Sequence, residues 1–123
     1  MLIIMTLNLF VSKENNIYKK IESLSEKIEN EVIKWRHHIH QNPELSNREY
    51  NTAKYVAAHL KKLGLEVTEN VAYTGVVAVL NGGKPGKTVA LRADMDALPV
   101  TERVDIPFAS KVKTIYKDTE VGV

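Results

Sequence analysis

From Ile17 onward the apolar positions Ile17, Ile21, Leu24, Ile28, Val32, Trp35 and Ile39 recur every three or four residues, with Lys, Glu and Ser between them. That spacing predicts one long amphipathic helix that stops before Pro43. It also fits a coiled coil, but about three heptads are marginal and the seam lacks regular flanking charges, so packing on a sheet is the expected use. Ser46 and Glu49 then stand at the S-x-x-E spacing of a capping box, with Leu45 and Tyr50 placed as a hydrophobic staple. A second helix should begin there and carry Tyr50, Ala53, Val56, Ala57, Leu60 and Leu63 on one face. Gly64 would end it in a left-handed cap, with Leu65 folding back on the last turn.

After Gly64 the period changes. Leu65-Glu66-Val67-Thr68, Val76-Val77-Ala78-Val79-Leu80 and Thr88-Val89-Ala90-Leu91-Arg92 are short, Val-rich runs that read as strands. The turn-rich stretch Asn81 to Lys87 joins the last two, which predicts an antiparallel hairpin between them. Beyond Pro99 only Pro107-Phe108-Ala109 and Val112 to Tyr116 carry weak strand signals, and there are no repeats.

Helices followed by strands indicate an α/β protein, and 123 residues set one domain as the upper bound. The 17 basic and 15 acidic residues leave a net charge of +2 without a basic stripe, which argues against nucleic acid as a partner. With no cysteine there is neither a disulfide nor a thiolate metal ligand. Residues 1–11 form an apolar leader that is too short to span a bilayer and lacks the flanks of a signal peptide, so a disordered or loosely packed leader and no membrane partner are expected, with a weak export or membrane-surface signal as the alternative.

Two clusters could carry chemistry. Period two places Ala90, Arg92, Asp94 and Asp96 on one face of the last strong strand. An Arg92–Asp94 ion pair with Asp96 capping the next segment explains them structurally, whereas two acids at the carboxyl end of a strand also suit a ligand site. The second cluster is Trp35 to Leu45, where His37 and His40 lie at i and i+3 near a helix C-terminus. Cations favour that end through the helix dipole, and the H-E-x-x-H spacing of a metal pair is missing, so a structural or substrate-side role is expected. No G-x-S-x-G elbow, P-loop or dinucleotide fingerprint is present.

The ordered set Arg36-His37-x-x-His40-x-x-Pro43-Glu44-Leu45-Ser46-x-x-Glu49, Thr74-Gly75-Val76-Val77-Ala78, Pro85-Gly86-x-Thr88 through Val100-x-Glu102, and Pro107-Phe108-x-Ser110 resembles one family. It is similar to the N-terminal part of the metal-dependent amidohydrolases that include bacterial aminoacylases, hippurate hydrolases and auxin-conjugate hydrolases, within the zinc-peptidase clan. The resemblance implies a three-layer catalytic domain whose mixed sheet is flanked by helices, with residues 12–123 as its N-terminal portion and the remainder and an inserted dimerisation or lid domain missing.

For complete family members the resemblance implies hydrolysis of N-acyl amino acids by water activated between two divalent metals (Zn, Mn, Co or Ni), with a glutamate as base. Their Cys- and His-bearing segment His-Ala-Cys-Gly-His-Asp would follow Val123. Asp94 and Asp96 would then support the metal site without being ligands, Arg92, His37 and His40 would be structural or substrate-side, and this chain would bind no metal. The expected product is a truncated, inactive piece of a cytoplasmic amidohydrolase, whose partners are a small N-acyl amino acid substrate and a homo-oligomer or complementing C-terminal piece. The rival readings are an interaction module for a separately encoded remainder or homologous subunit, and a free-standing metal-binding domain built on His37, His40, Asp94 and Asp96.

Overall fold

A computed structural model describes the backbone of residues 2–123 and the side chains from residue 16 onward. The expectation of a disordered leader falls on side chains outside the described residues. The chain forms two compact units, Met1–His37 and His38–Val123.

The first unit is helical, being most of α1 (Leu2–Gln41), which ends just before Pro43 as its periodicity predicts. The apolar stripe is present but open. Ile17, Ile21, Leu24 and Ile28 are each 51–54% exposed.

In the second unit, α2 (Tyr50–Lys62) packs on a hairpin of β1 (Glu66–Val71) and β2 (Gly75–Val79). The end of α2 matches its sequence signal. Gly64 adopts φ +79°, its N–H donates to the Lys61 carbonyl at 3.0 Å, and the Leu65 N–H donates back to Leu60 at 3.3 Å. This is the Schellman pattern, and a residue with a Cβ would be strained there.

The start of α2 differs from the capping box read in the sequence. Glu49 is the N-cap residue but makes no side-chain cap, and the helix begins at Tyr50. The cap comes from Glu44, whose carboxylate accepts the backbone N–H groups of Asn51 (2.9 Å) and Thr52 (2.8 Å) as well as Asn51 Nδ2 and Thr52 Oγ1. A helix N-terminus offers free N–H donors and a positive dipole end, and an acid that reaches two donors satisfies both. Glu49 is thereby released for another task. It is buried, takes the Thr74 hydroxyl on Oε2 and receives the Asn47 N–H on Oε1 at 3.0 Å. The staple is not formed as expected either, since Leu45 is buried while Tyr50 is 59% exposed.

β1 and β2 pair antiparallel from Glu66↔Val79 to Val71↔Gly75, and three steps along β1 between Thr68 and Val71 oppose two along β2. The extra residue is a bulge, with Asn70 at φ 60°. The hairpin predicted between residues 76–80 and 88–92 is therefore replaced by one between β1 and β2. Residues 88–92 form no strand, and Val89 and Leu91 are 82% and 98% exposed. An alternating apolar run becomes a strand only when a neighbour supplies its ladder and a layer covers its apolar face, and the described residues provide neither.

A second two-stranded sheet joins β3 (Lys113–Tyr116) to β4 (Thr119–Gly122) in antiparallel register. Its two-residue turn holds Lys117 and Asp118 at φ 49° and 60°, as a type I′ hairpin requires. β3 realises the weak signal at 112–116, whereas residues 107 and 108 form a turn. The α/β class is thus observed, with the strands in two separate sheets and parallel pairing limited to the isolated bridge Leu45↔Ala97.

Among the described residues the buried apolar set is small, comprising Leu45, Ala53, Ala57 and Val123, and Glu49, Thr52 and Thr74 are buried too. Polar ties therefore carry much of this unit. Burial pushes the Glu44 carboxyl up, but the hydrogen bonds from Thr52 and Asn51 together outweigh it and hold the group below its ordinary value. Glu49 is likewise raised by burial and lowered further by Thr74 and by backbone N–H groups.

Three outcomes are expected. Glu44→Ala should lower stability by about 1–2 kcal/mol in chemical denaturation, the usual cost of a lost helix cap. Because Glu44 and Glu49 have depressed values in the fold, their contribution is complete above the unfolded carboxylate range near pH ~4.3 and is lost as pH falls through the lower folded values. Melting curves followed from neutral to acid pH should show that loss, and Glu44→Gln should flatten it. Gly64→Ala should cost roughly 1–2 kcal/mol through the left-handed backbone, measured in the same way.

Candidate functional site

The residues singled out in the sequence fall in different places. Arg92 and Asp94 form the expected ion pair, Nη2 to Oδ1 at 2.8 Å, with side chains 89% and 70% exposed. Exposure of this degree leaves such a pair with little effect on stability. Asp96 is exposed, one residue before Ala97, where the chain crosses the segment that leads into α2.

The two histidines part company. His37 belongs to the first unit, and its Nε2 lies 3.0 Å from Arg36 Nη2. A guanidinium only donates, so His37 Nε2 is the acceptor in that contact. His40 belongs to the second unit and reaches Glu102, Nε2 to Oε2 at 2.7 Å, across 62 positions of sequence.

Glu102 is the hub of a second polar cluster in this unit. The same Oε2 accepts the Ser110 N–H at 2.9 Å. The Phe108 ring meets the His40 ring edge-on at a centroid distance of 5.6 Å and restricts its rotation. Ser110 Oγ in turn donates to the Val123 carbonyl, and the Val123 N–H donates to Val112 at 3.1 Å. The Ser110 N–H and then the His40 ring hold Glu102 below the usual carboxylate range, against a smaller opposing effect of desolvation. An ionised carboxylate accepts only, so His40 Nε2–H is the donor in this contact.

Beside this cluster an open groove of about 1000 Å³ is lined by Gln41, Glu102, Ile106, Pro107, Ser110 and Val112. Its walls mix charged, polar and apolar groups, and Glu102, the partner of His40, is one of them. A carboxylate-bound imidazole of fixed tautomer can orient a neighbouring group or pass a proton.

Glu102, Ser110 and Thr74 escaped the sequence reading as site or scaffold residues. Each stands inside a recognisable motif, but nothing local reveals that Glu102 answers His40 or that Thr74 answers Glu49. The motifs are in fact partners: Glu49 with Thr74, Glu102 with His40 and Ser110, and Leu45 with Ala97.

No family model matches the chain. It is 54% identical over 113 residues to thermostable carboxypeptidase 2 of Saccharolobus solfataricus, which covers 88% of this chain and 29% of that protein. Hippurate hydrolase of Campylobacter jejuni is 49% identical over 88 residues, 72% of this chain and 23% of the relative. The N-acyl-L-amino acid amidohydrolase of Geobacillus stearothermophilus is 43% identical over 93 residues, 76% and 25% respectively. The crystal structure of the Bacillus subtilis YxeP protein, a dinuclear metal binding peptidase from the M20 family, superposes with a TM-score of 0.65 at 38% identity, covering 71% of this chain and 24% of that one.

The chain thus spans less than a third of the length of these relatives. Among the described residues no group of three or more His, Cys, Asp or Glu side chains could hold a metal ion, so the residues present do not make up a dinuclear site. No helix among the described residues is long and apolar enough to cross a membrane. With 54% identity over most of its length and the same fold as a solved member, the chain belongs to the M20 family of metal-dependent amidohydrolases and peptidases.

Proposed function

We propose that this chain is the N-terminal portion of the catalytic domain of a cytoplasmic hydrolase that cleaves the amide bond of N-acyl amino acids and depends on a divalent metal. In this reading residues 12–123 are scaffold. Asp94 and Asp96 support a metal site from behind, its ligands lie outside this chain, and the chain by itself has no hydrolase activity. The observation that carries the proposal is the similarity to hippurate hydrolase and to the N-acyl-L-amino acid amidohydrolase, both named for acylated amino acids. The exposure of Asp94 and Asp96 supports it too, because surface acids are open to groups contributed from elsewhere.

A second reading rests on a different observation. The stripe Ile17, Ile21, Leu24, Ile28 and Val32 is 45–54% exposed along α1, and a contiguous apolar face of that kind suits association with a separately encoded remainder of such an enzyme. Co-expression separates the two. An interaction module becomes more soluble with that remainder whether or not activity appears.

The test is a chimera in which this chain replaces the matching stretch of the Saccharolobus carboxypeptidase, assayed for release of the amino acid from an N-acyl amino acid with and without chelator. Chelator-sensitive hydrolysis is expected from the chimera and none from the chain alone. Asp96→Ala in the chimera should reduce activity about 10–100-fold, the usual effect of removing a group that supports a metal ligand. A soluble chimera without activity, or Asp96→Ala without effect, overturns the assignment.

A further inference from the structure

We infer that His40 and Glu102 form a positioning pair which, with the backbone carbonyl of Glu44, holds the segment 97–102 at both ends and so sets where Asp94 and Asp96 stand. The inference rests on the reading that those two acids serve the reaction.

The segment is fixed at three points. At its start the Ala97 N–H donates to the Glu44 carbonyl at 2.8 Å, and Leu45 and Ala97 form a parallel bridge. Near its end Thr101 lies against Gly122 so closely that a Cβ on Gly122 would come 2.7 Å from Thr101 Oγ1 and 2.8 Å from Thr101 Cα. At its end Glu102 Oε2 takes the His40 ring at 2.7 Å and the Ser110 N–H at 2.9 Å. Five residue steps separate Ala97 from Glu102, a reach of at most about 18 Å, so a chain held at both limits and once between has little freedom.

Each anchor sits on something stiff. His40 is in the last turn of α1 with Phe108 against its ring, and Glu44 is bound by its own side chain to the start of α2. Asp96 is joined to the first anchor by one peptide bond. Asp94, two residues earlier, is oriented further by Arg92. His40 and Glu102 touch neither acid according to any contact described above, so their effect runs through the backbone they hold. That makes them positioning residues and distinguishes them from groups that meet substrate.

The test uses the full chain, labelled for NMR, and follows amide exchange at Ala97 and Ser110 together with the carboxyl carbon resonances of Asp94 and Asp96. Glu102→Asp withdraws the carboxylate by one methylene, and His40→Ala removes its partner. Both should speed exchange at Ala97, five positions away, by roughly tenfold as the hydrogen-bonded unit opens more often, and both should shift the Asp96 carboxyl resonance. Glu102→Gln keeps an acceptor oxygen for both donors and should hold Ala97 within about twofold of the parent. Amides in the middle of α2, such as that of Ala57, should stay protected throughout and report an intact fold. If Ser110 loses protection while Ala97 and Asp96 do not respond, the contact is local and the inference fails. If His40→Ala unfolds the chain, the milder Glu102→Asp decides by the same two readouts. Neither metal nor substrate enters the measurement, so an unresponsive Ala97 refutes the pair and leaves the hydrolase reading standing, whereas an inactive chimera does the reverse.

Discussion

Glu44 is the residue on which the second unit turns. Its carboxylate closes the N-terminus of α2, and its backbone carbonyl accepts the Ala97 N–H. One residue thus satisfies free helix donors in one direction and fixes a distant loop in the other. The neighbouring residues extend the arrangement. Leu45 is buried and bridges to Ala97, and Glu49 turns inward to the Thr74 hydroxyl beside β2. A charged group in such a place is tolerable only because it is saturated with donors. The same donors explain why Glu44 and Glu49 both stay ionised more readily than free carboxylates despite burial.

The reliance on polar ties follows from the shortage of apolar burial. Four apolar residues are buried in all among the described residues, while large side chains from Ile17 to Ile28 on α1 and Val89 and Leu91 after the glycine-rich linker stay open to solvent. At about 25 cal/mol per Å² this open surface represents stabilisation that is not realised. Directional contacts therefore decide where the irregular stretch from residue 80 to residue 112 runs. The series from His40 through Glu102 and Ser110 to Val123 is the longest of these, and it ties the end of α1 to the end of β4.

This arrangement changes how the family motifs are understood. Arg36 to Glu49 looks like a candidate catalytic stretch because it is rich in histidine and acid. Its acids in fact build structure: Glu44 caps, and Glu49 holds Thr74. The residues with functional promise, Asp94 and Asp96, make little structural contribution beyond the exposed contact with Arg92. Motif residues thus divide between those spent within the fold and those left available, and exposure separates them better than residue type does.

Sequence alone determined what depends on neighbours along the chain. The apolar period of α1, its stop before Pro43, the Gly64 cap with Leu65 returning to Leu60, the strand runs read at 65–68 and 76–80 and realised as β1 and β2, and the Arg92–Asp94 pair were legible along the chain. The order of motifs was equally legible and marked the family, because spacing along a chain survives without knowledge of the fold. Tertiary structure decided the rest. Glu44 displaced the local capping box because it reaches two free N–H donors at once, and Glu102 found His40 across 62 positions because the fold closes that loop. The Thr88–Arg92 run failed to become a strand for the complementary reason: alternation encodes a face to be covered, and only a neighbouring strand or layer can cover it.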